Sequence, residues 1–444
     1  MAQAFTPRIG VGPFTKALVL ESPDPSLDQH LAALGIEAFR PHITPTNDAE
    51  LIALLAQAPY DLIFKRSRVQ ITPDVLDAAP HLFAVVLCCI GDDSVDKRAC
   101  AERGILVIND PISNGRSVAE LVIGEIIMLS RRIFNAVDET RAHRFVKAQD
   151  RRYEVQGKTL GLLGLGAIGK QVAQLGQALG MRIVFHDNRD VAREVGETMG
   201  WHYAPSLRDL FVAADIVSAH ISATDYRGRS NEGLLTSEHF AAFAEKDHDS
   251  PRIFINAARG QIHTAEALLE AVDKQWVGAA MVDVFPTEPS DKNDPWVNPY
   301  AGSDRIFATP HIGAATLEAQ PRIAQHVATT TQRLSTHGRL RNCVFGPKHL
   351  VGIEDDDVEH IMTVVHADTR GTKKAIDDAI FAAGASNLVS EHRDFNEYGI
   401  AYEVIAIDHP LSEAQLEQLA RDAAKLTGDP TAIRAIRQIR VEHG

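Results

Sequence analysis

Residues 158–187, KTLGLLGLGAIGKQVAQLGQALGMRIVFHD, restrict the fold of this chain more tightly than any other stretch. An apolar run leads into Gly164, further glycines stand at Gly166 and Gly169, a helical pattern follows, and the next apolar run ends in Asp187. Glycines at this spacing permit a tight strand-to-helix turn and let backbone N–H groups approach a pyrophosphate at the positive end of the helix. A carboxylate at the end of the second strand accepts hydrogen bonds from ribose hydroxyls and repels a ribose phosphate. The stretch therefore predicts a dinucleotide site built from Gly164, Gly166, Ala167, Ile168, Gly169 and Asp187, with NAD as cofactor. Arg189 leaves the phosphorylated cofactor as a minor alternative.

The rest of the chain repeats the same grammar. KALVL, YDLIF, LFAVVLC and ILVIN alternate with helix-length segments, and a second series runs TLGLLGLG, MRIVFHD, DIVSAHI, RIFINAA, GAAMVDVF and RIFATPH. Strands separated by helices predict parallel sheets, so the class is α/β with two doubly wound, Rossmann-like domains in tandem. SVAELVIGEIIMLSRRIFNAV reads as one long helix between them, with Ser117 and Glu120 at capping-box spacing. After EAQPRIAQHVATTTQRLSTHG, a Gly-Pro loop and the acidic run Glu354–Asp357 mark a change of composition. The tail then follows a βαββαβ order, which predicts a small ferredoxin-like domain.

Three later strand ends each present polar residues: NAARG gives Arg259, DVFPTEP gives Asp283 and Glu288, and TPHIG gives His311. Strand C-termini of a parallel sheet open on one side, so these groups should converge on the cofactor crevice. A guanidinium clamps a carboxylate in a bidentate fork, and an imidazole exchanges a proton near neutrality. Arg259 is the expected carboxylate clamp, His311 the acid–base group, Glu288 the residue that orients its ring, and Asp283 a partner for the nicotinamide. Ala258, His311 and Gly313 complete the expected cofactor contacts.

With these residues in hand, the chain resembles the D-2-hydroxyacid dehydrogenase family over nearly its whole length. SNGRSVAELVIGE, GLGAIGKQ, NAARG, GAAMVDVFPTEP and TPHIGAAT carry the likeness. The resemblance implies a discontinuous substrate domain of residues 1–116 and 313–350, an inserted NAD domain of 117–312, and an Arg259, Glu288, His311 catalytic set. KRSR at 65–68 is similar to the basic turn that holds a phosphate in the family branch acting on 3-phosphoglycerate. This implies oxidation of D-3-phosphoglycerate to 3-phosphohydroxypyruvate, the entry to serine synthesis, with Arg66, Ser67, Arg68, Asp93 and Arg259 on the substrate. Oxidation of another D-2-hydroxy acid stays open, because Asp92 and Asp93 would oppose an anion. So does a non-enzymatic NAD(H)-sensing, corepressor-like protein. Residues 357–444 are similar to an ACT domain, which implies an amino-acid effector near His366, Asp368 and Asn387 and assembly as a homodimer or homotetramer.

Bulk properties exclude other classes. A net charge of −14 argues against a nucleic-acid binder. Four cysteines at irregular spacing make neither a disulfide framework nor a metal site, and no metal is expected. Without a signal-type or membrane-spanning apolar stretch, a cytoplasmic protein is expected.

Overall fold

The structure, a computed structural model, describes residues 6–227, 229–245, 249–289, 295–346, 350–354 and 358–441. Residues 355–357 of the acidic run and Pro347 of the Gly-Pro loop lie outside these. The chain divides into two compact units: residues through Pro111 together with Gln320 onward, and Ile112–Ala319.

In the first unit, β1 (Arg8–Val11) precedes a parallel sheet of β2 (Lys16–Val19), β3 (Glu37–Phe39), β4 (Leu62–Lys65), β5 (Ala84–Leu87) and β6 (Leu106–Asn109), in the order β3-β2-β4-β5-β6. LIFK, AVVL and LVIN are buried throughout, as strands covered on both faces must be. The sequence pattern passes over the helix Ser26–Ala33 and β3, because SLDQHLAA is short and half polar and EAF is only three residues long.

The second unit holds a parallel sheet of β7 (Thr159–Leu163), β8 (Arg182–His186), β9 (His202–Tyr203), β10 (Ile216–Ala219), β11 (Ile253–Asn256), β12 (Ala279–Val282) and β13 (Ile306–Ala308). Its order is β13-β12-β11-β10-β7-β8-β9. The chain runs outward from β7 through β8 to β9, then returns to β10 on the other side of β7. That reversal creates a crevice beyond the strand ends, where ligands of such sheets bind.

The expected single helix is two. Gly115–Ser130 ends where Arg132 takes a left-handed φ of 53°, and Ile133–Arg141 follows. Ser117 and Glu120 form no capping box, because the helix begins at Gly115, before Ser117. Instead the Ser117 hydroxyl pairs with that of Thr316 at 2.9 Å, and Glu120 accepts from Arg116.

The tail strands β14 (His360–Ala367), β15 (Asn387–Phe395), β16 (Ile400–Ile407) and β17 (Ile433–Arg440) follow the expected βαββαβ order. β1 joins this sheet at its edge, parallel to β17, which the sequence pattern does not reveal. Alternate residues separate the two faces. Met362, Val364, Ile405 and Ile407 pack with Ile376, Ile380, Leu416 and Leu419 of the two tail helices. Ile361, Val365, Tyr402 and Val404 belong to the same core as the first sheet and the helix Ala319–His337. Arg437 seals this face: its buried guanidinium donates to the carbonyls of Leu334, Ser335 and Gly12 and lies over the Phe14 ring at 3.8 Å. Burial pushes its pKa down to about 10. Among the described residues no helix is long and apolar enough to cross a membrane.

Two stability predictions follow from buried charge. Arg437→Met keeps much of the volume but removes three hydrogen bonds to carbonyls, of which that of Leu334 retains the Gly338 N–H, so unfolding free energy should fall by roughly 3 kcal/mol, read from the denaturant midpoint. An unchanged midpoint would show that the seal is dispensable. Glu125, buried in the helix Gly115–Ser130 with neither carboxyl oxygen hydrogen-bonded, is pushed up to about 8 by burial and by the charge of Asp283. Its folded-state pKa lies above the unfolded value, so stability falls as pH rises from about 4.5 to about 8. Glu125→Gln should remove that slope, matching the parent near pH 4 and exceeding it by a few kcal/mol at pH 8.

Candidate active site

β7 leads straight into the glycine turn. Gly164 has φ +95°, and a Cβ there would sit 2.7 Å from the His220 carbonyl oxygen; one on Gly169 would sit 2.2 Å from the Gly164 carbonyl oxygen. A Cβ on Gly166 would meet nothing within 4 Å, so the loop is open on that side. The helix Ala167–Ala178 starts at Gly166 without a side-chain cap, which leaves its first N–H groups for a ligand. Ala167 and Ile168 are its first two residues. Asp187, just past β8, accepts from the Leu165 N–H at 2.8 Å and from Arg189 Nε and Nη2 at 2.9 and 2.7 Å. Burial would raise its pKa, but the Arg189 contacts and the Leu165 N–H hold it below the usual carboxylate range. An open helix terminus, a cradle that side chains would fill and an ionised acid at the second strand end fit a dinucleotide. His220, missed in the sequence, lies behind this loop, and burial pushes it down to about 3, so its ring is neutral.

The next strand ends are locked to one another. Asn256 closes β11; its side chain accepts from the Ala258 N–H at 3.1 Å and donates to the Arg259 carbonyl at 2.9 Å. It thereby shapes the turn that presents Arg259. Asn256 thus supports the site as well, and an Asn directly before a turn is a recognisable Asx signal. Gly260 follows because nothing larger fits: a Cβ there would lie 1.9 Å from the Phe285 carbonyl carbon and 2.4 Å from Pro286 N. The NAARG turn thus rests directly on the backbone of DVFPTEP.

Glu288 is held by its own turn, its Oε1 accepting the Phe285 N–H at 3.1 Å. Its Oε2 meets His311 Nδ1 at 2.7 Å. The pair is coupled electrically. The Glu288 hydrogen bond raises the His311 pKa above its ordinary value against the cost of burial, while burial of Glu288 is outweighed by His311 and Arg259, which lower its pKa. The carboxylate therefore stabilises imidazolium, and Arg259 is near enough for its charge to act on both groups.

Asp283 stands directly after β12. It is 2% exposed, and its carboxylate accepts from Thr309 Oγ1 at 2.7 Å, Ile312 N–H at 2.8 Å and Gly313 N–H at 2.7 Å. A carboxylate has about four acceptor positions, so most of this one is committed to the loop that carries His311. The loop needs holding, because His311 itself adopts φ +55°.

In the other unit, Arg66, Ser67 and Arg68 are exposed and Lys65 beneath them is buried. Lys65 donates to the Arg66 carbonyl at 2.7 Å and to Ser94 at 2.6 Å, and Glu21 accepts from the N–H groups of Arg68 and Val69 at 3.0 and 2.7 Å. Glu21 is a further residue that the sequence does not announce, 47 positions from the turn it braces. Asp92 pairs with Lys97 at 3.1 Å, which offsets its charge, while Asp93 is exposed. Of the three effector candidates, Asn387 is not brought to His366. His366 pairs with Ala401 and Asn387 with Ile407, roughly 20 Å apart along β16 at 3.4 Å per residue. Asp368 is exposed beyond the end of β14.

Residues 123–313 match the family described as D-isomer specific 2-hydroxyacid dehydrogenase, NAD binding domain. D-3-phosphoglycerate dehydrogenase of Escherichia coli is 32% identical over 408 residues, covering 91% of this chain and 94% of that protein. D-3-phosphoglycerate dehydrogenase 2 of Saccharomyces cerevisiae is 33% identical over 377 residues, covering 82% and 76%. Among solved structures, the TT0316 protein of Thermus thermophilus superposes with a TM-score of 0.60 at 27% identity, over 74% of this chain and all of that one. The chain belongs to the D-isomer-specific 2-hydroxyacid dehydrogenase family, oxidoreductases built on an NAD-binding domain.

Proposed function

We propose that this enzyme oxidises D-3-phosphoglycerate to 3-phosphohydroxypyruvate, the first step toward serine. The observation that carries the acid–base part is the Glu288–His311 hydrogen bond of 2.7 Å, with Arg259 in electrostatic reach. NAD, when bound, supplies the oxidised nicotinamide that accepts the hydride. His311, neutral at its Nε2, takes the hydroxyl proton of the substrate as the carbonyl forms, and Glu288 stabilises the resulting imidazolium. Arg259 binds the substrate carboxylate. Gly164, Gly166 and Gly169 admit the pyrophosphate, and Asp187 takes the adenosine ribose in exchange for Arg189. Arg66, Ser67 and Arg68 take the substrate phosphate, a reading supported by their exposure and by the braced backbone beneath them. The relatives named D-3-phosphoglycerate dehydrogenase support the same substrate.

A different D-2-hydroxy acid is the second reading, and exposed Asp93 in the first unit favours it. Arg66→Ala separates the two. With NAD and 3-phosphoglycerate, NADH formation should lose at least about tenfold in kcat/KM through a higher KM, the cost of a charge-assisted hydrogen bond, while any turnover of unphosphorylated acids persists. Equal loss on both, or no turnover of the phosphorylated acid by the parent, overturns the substrate assignment.

The acid–base assignment makes a prediction with a sign. Oxidation needs neutral imidazole, and Glu288 favours the protonated form, so Glu288→Gln should move the rising limb of the oxidation pH profile to lower pH. His311→Ala should cost on the order of 10²–10⁴ in kcat at any pH. If the Glu288→Gln profile stays in place, the carboxylate is only part of a rigid turn.

A further inference from the structure

The tail sheet holds a side-chain cluster unconnected with hydride transfer. His392 of β15 stands directly opposite Glu403 of β16, and Glu403 stands opposite Val364, two residues before His366 on β14. With side chains alternating along each strand, all three project from the face that carries Met362, Val364 and the tail helices. One nitrogen of each imidazole and one oxygen of the carboxylate lie within 4.8 Å of one another. His366 and Glu403 are each only 2% exposed.

Their partners fix which atoms face inward. His366 Nδ1 is 2.8 Å from the Ala367 carbonyl, so it carries the proton and Nε2 keeps its lone pair. His392 Nε2 donates to Asp394 at 2.6 Å, which leaves the lone pair on Nδ1. Glu403 Oε1 faces Lys373 Nζ at 3.4 Å. Glu403 Oε2 and His366 Nε2 are 3.6 Å apart, too far for a hydrogen bond. His366 Nε2, His392 Nδ1 and Glu403 Oε2 are all buried and all lack a hydrogen-bond partner. With these tautomers the three atoms face one another with lone pairs and no donor between them, an arrangement that a bound cation would satisfy.

We propose that His366, His392 and Glu403 form a binding site for a divalent transition-metal ion of the zinc class. Two imidazoles and a carboxylate are a known ligand set for tetrahedral zinc, with water in the fourth position. Ligand bonds of about 2.0–2.2 Å place tetrahedral ligand atoms roughly 3.4 Å apart, so the 3.6 Å separation already fits, and His392, within 4.8 Å of both, closes on the ion by turning its side chain. The outer contacts have the form such sites use: a carboxylate on one histidine and a backbone carbonyl on the other set the tautomers. Glu403 and Asp394 against Lys373 leave one net negative charge among the charged groups facing the ion, suited to a dication. Bound there, the ion ties β14, β15 and β16 together.

Cobalt and zinc test this on the full-length chain after dialysis against a chelator. Co²⁺ should bind at one equivalent per chain and give the visible absorption of a tetrahedral N/O site, and Zn²⁺ should displace it. His392→Gln should abolish that spectrum. Asp394→Asn, which leaves every ligand in place and lies on the partly exposed strand β15, should weaken Zn²⁺ binding 10–100-fold in competition with a chromophoric chelator. Circular dichroism confirms that each variant is folded, and all variants retain the His311–Glu288 pair, so a loss belongs to the tail. No cobalt spectrum in the parent, or the same stoichiometry and affinity in His392→Gln and Asp394→Asn, overturns the proposal.

Discussion

The buried carboxylate of Asp283 is the contact on which the rest of the catalytic unit depends. It ties the end of β12 to the loop after β13 with three hydrogen bonds, at Thr309, Ile312 and Gly313. Between those anchors His311 takes a left-handed backbone conformation that costs a non-glycine residue on the order of 1–3 kcal/mol. The conformation persists because residues on both sides of it are fixed. Both oxygens of the carboxylate take part, Oδ1 accepting two of the bonds and Oδ2 one. The nearby Glu125 is compatible with it because Glu125 stays neutral, so the two acids avoid sharing a low-dielectric space as like charges.

Asp283 holds the backbone of His311, whereas Glu288 holds its ring. Both acids come from DVFPTEP, on either side of buried Phe285, so one heptapeptide sets position and orientation together. Gly260 adds Arg259 to the same assembly by letting the NAARG turn touch the Phe285–Pro286 backbone. Three strand ends thus behave as one rigid body, as a reaction needing a clamp and a proton acceptor in fixed register requires.

What the sequence made legible followed from periodicity and local turn chemistry. The glycine loop, the β7–β8 unit, the Glu288–His311 pair and the βαββαβ tail could all be read, because each is either contiguous or forced by the order of parallel strands. The weakly apolar helix Ser26–Ala33 and the short β3 carry too little pattern to stand out. β1 owes its existence to pairing with β17, more than 400 residues away, and RIGV alone does not announce it. The anchoring of the His311 loop by Asp283 is not legible in the sequence, since its partners Ile312 and Gly313 lie 29 and 30 positions away. Glu21 was invisible for a related reason: it braces the 66–68 turn only through the fold.

Buried polar groups in this chain are satisfied in different ways. On the tail sheet's face toward the first sheet, Arg437 is satisfied by backbone carbonyls, and its charge suits the C-terminal end of the helix Ala319–His337. Glu125 in the other unit is solved by a single proton. The His366, His392, Glu403 cluster on the helix-covered face presents three buried acceptor atoms without hydrogen-bond partners, with the two rings 5.5 Å apart. A dication meets all three acceptors at once. The ligands are 26 and 11 positions apart in sequence and follow no spacing rule, so only the register of three antiparallel strands brings them together.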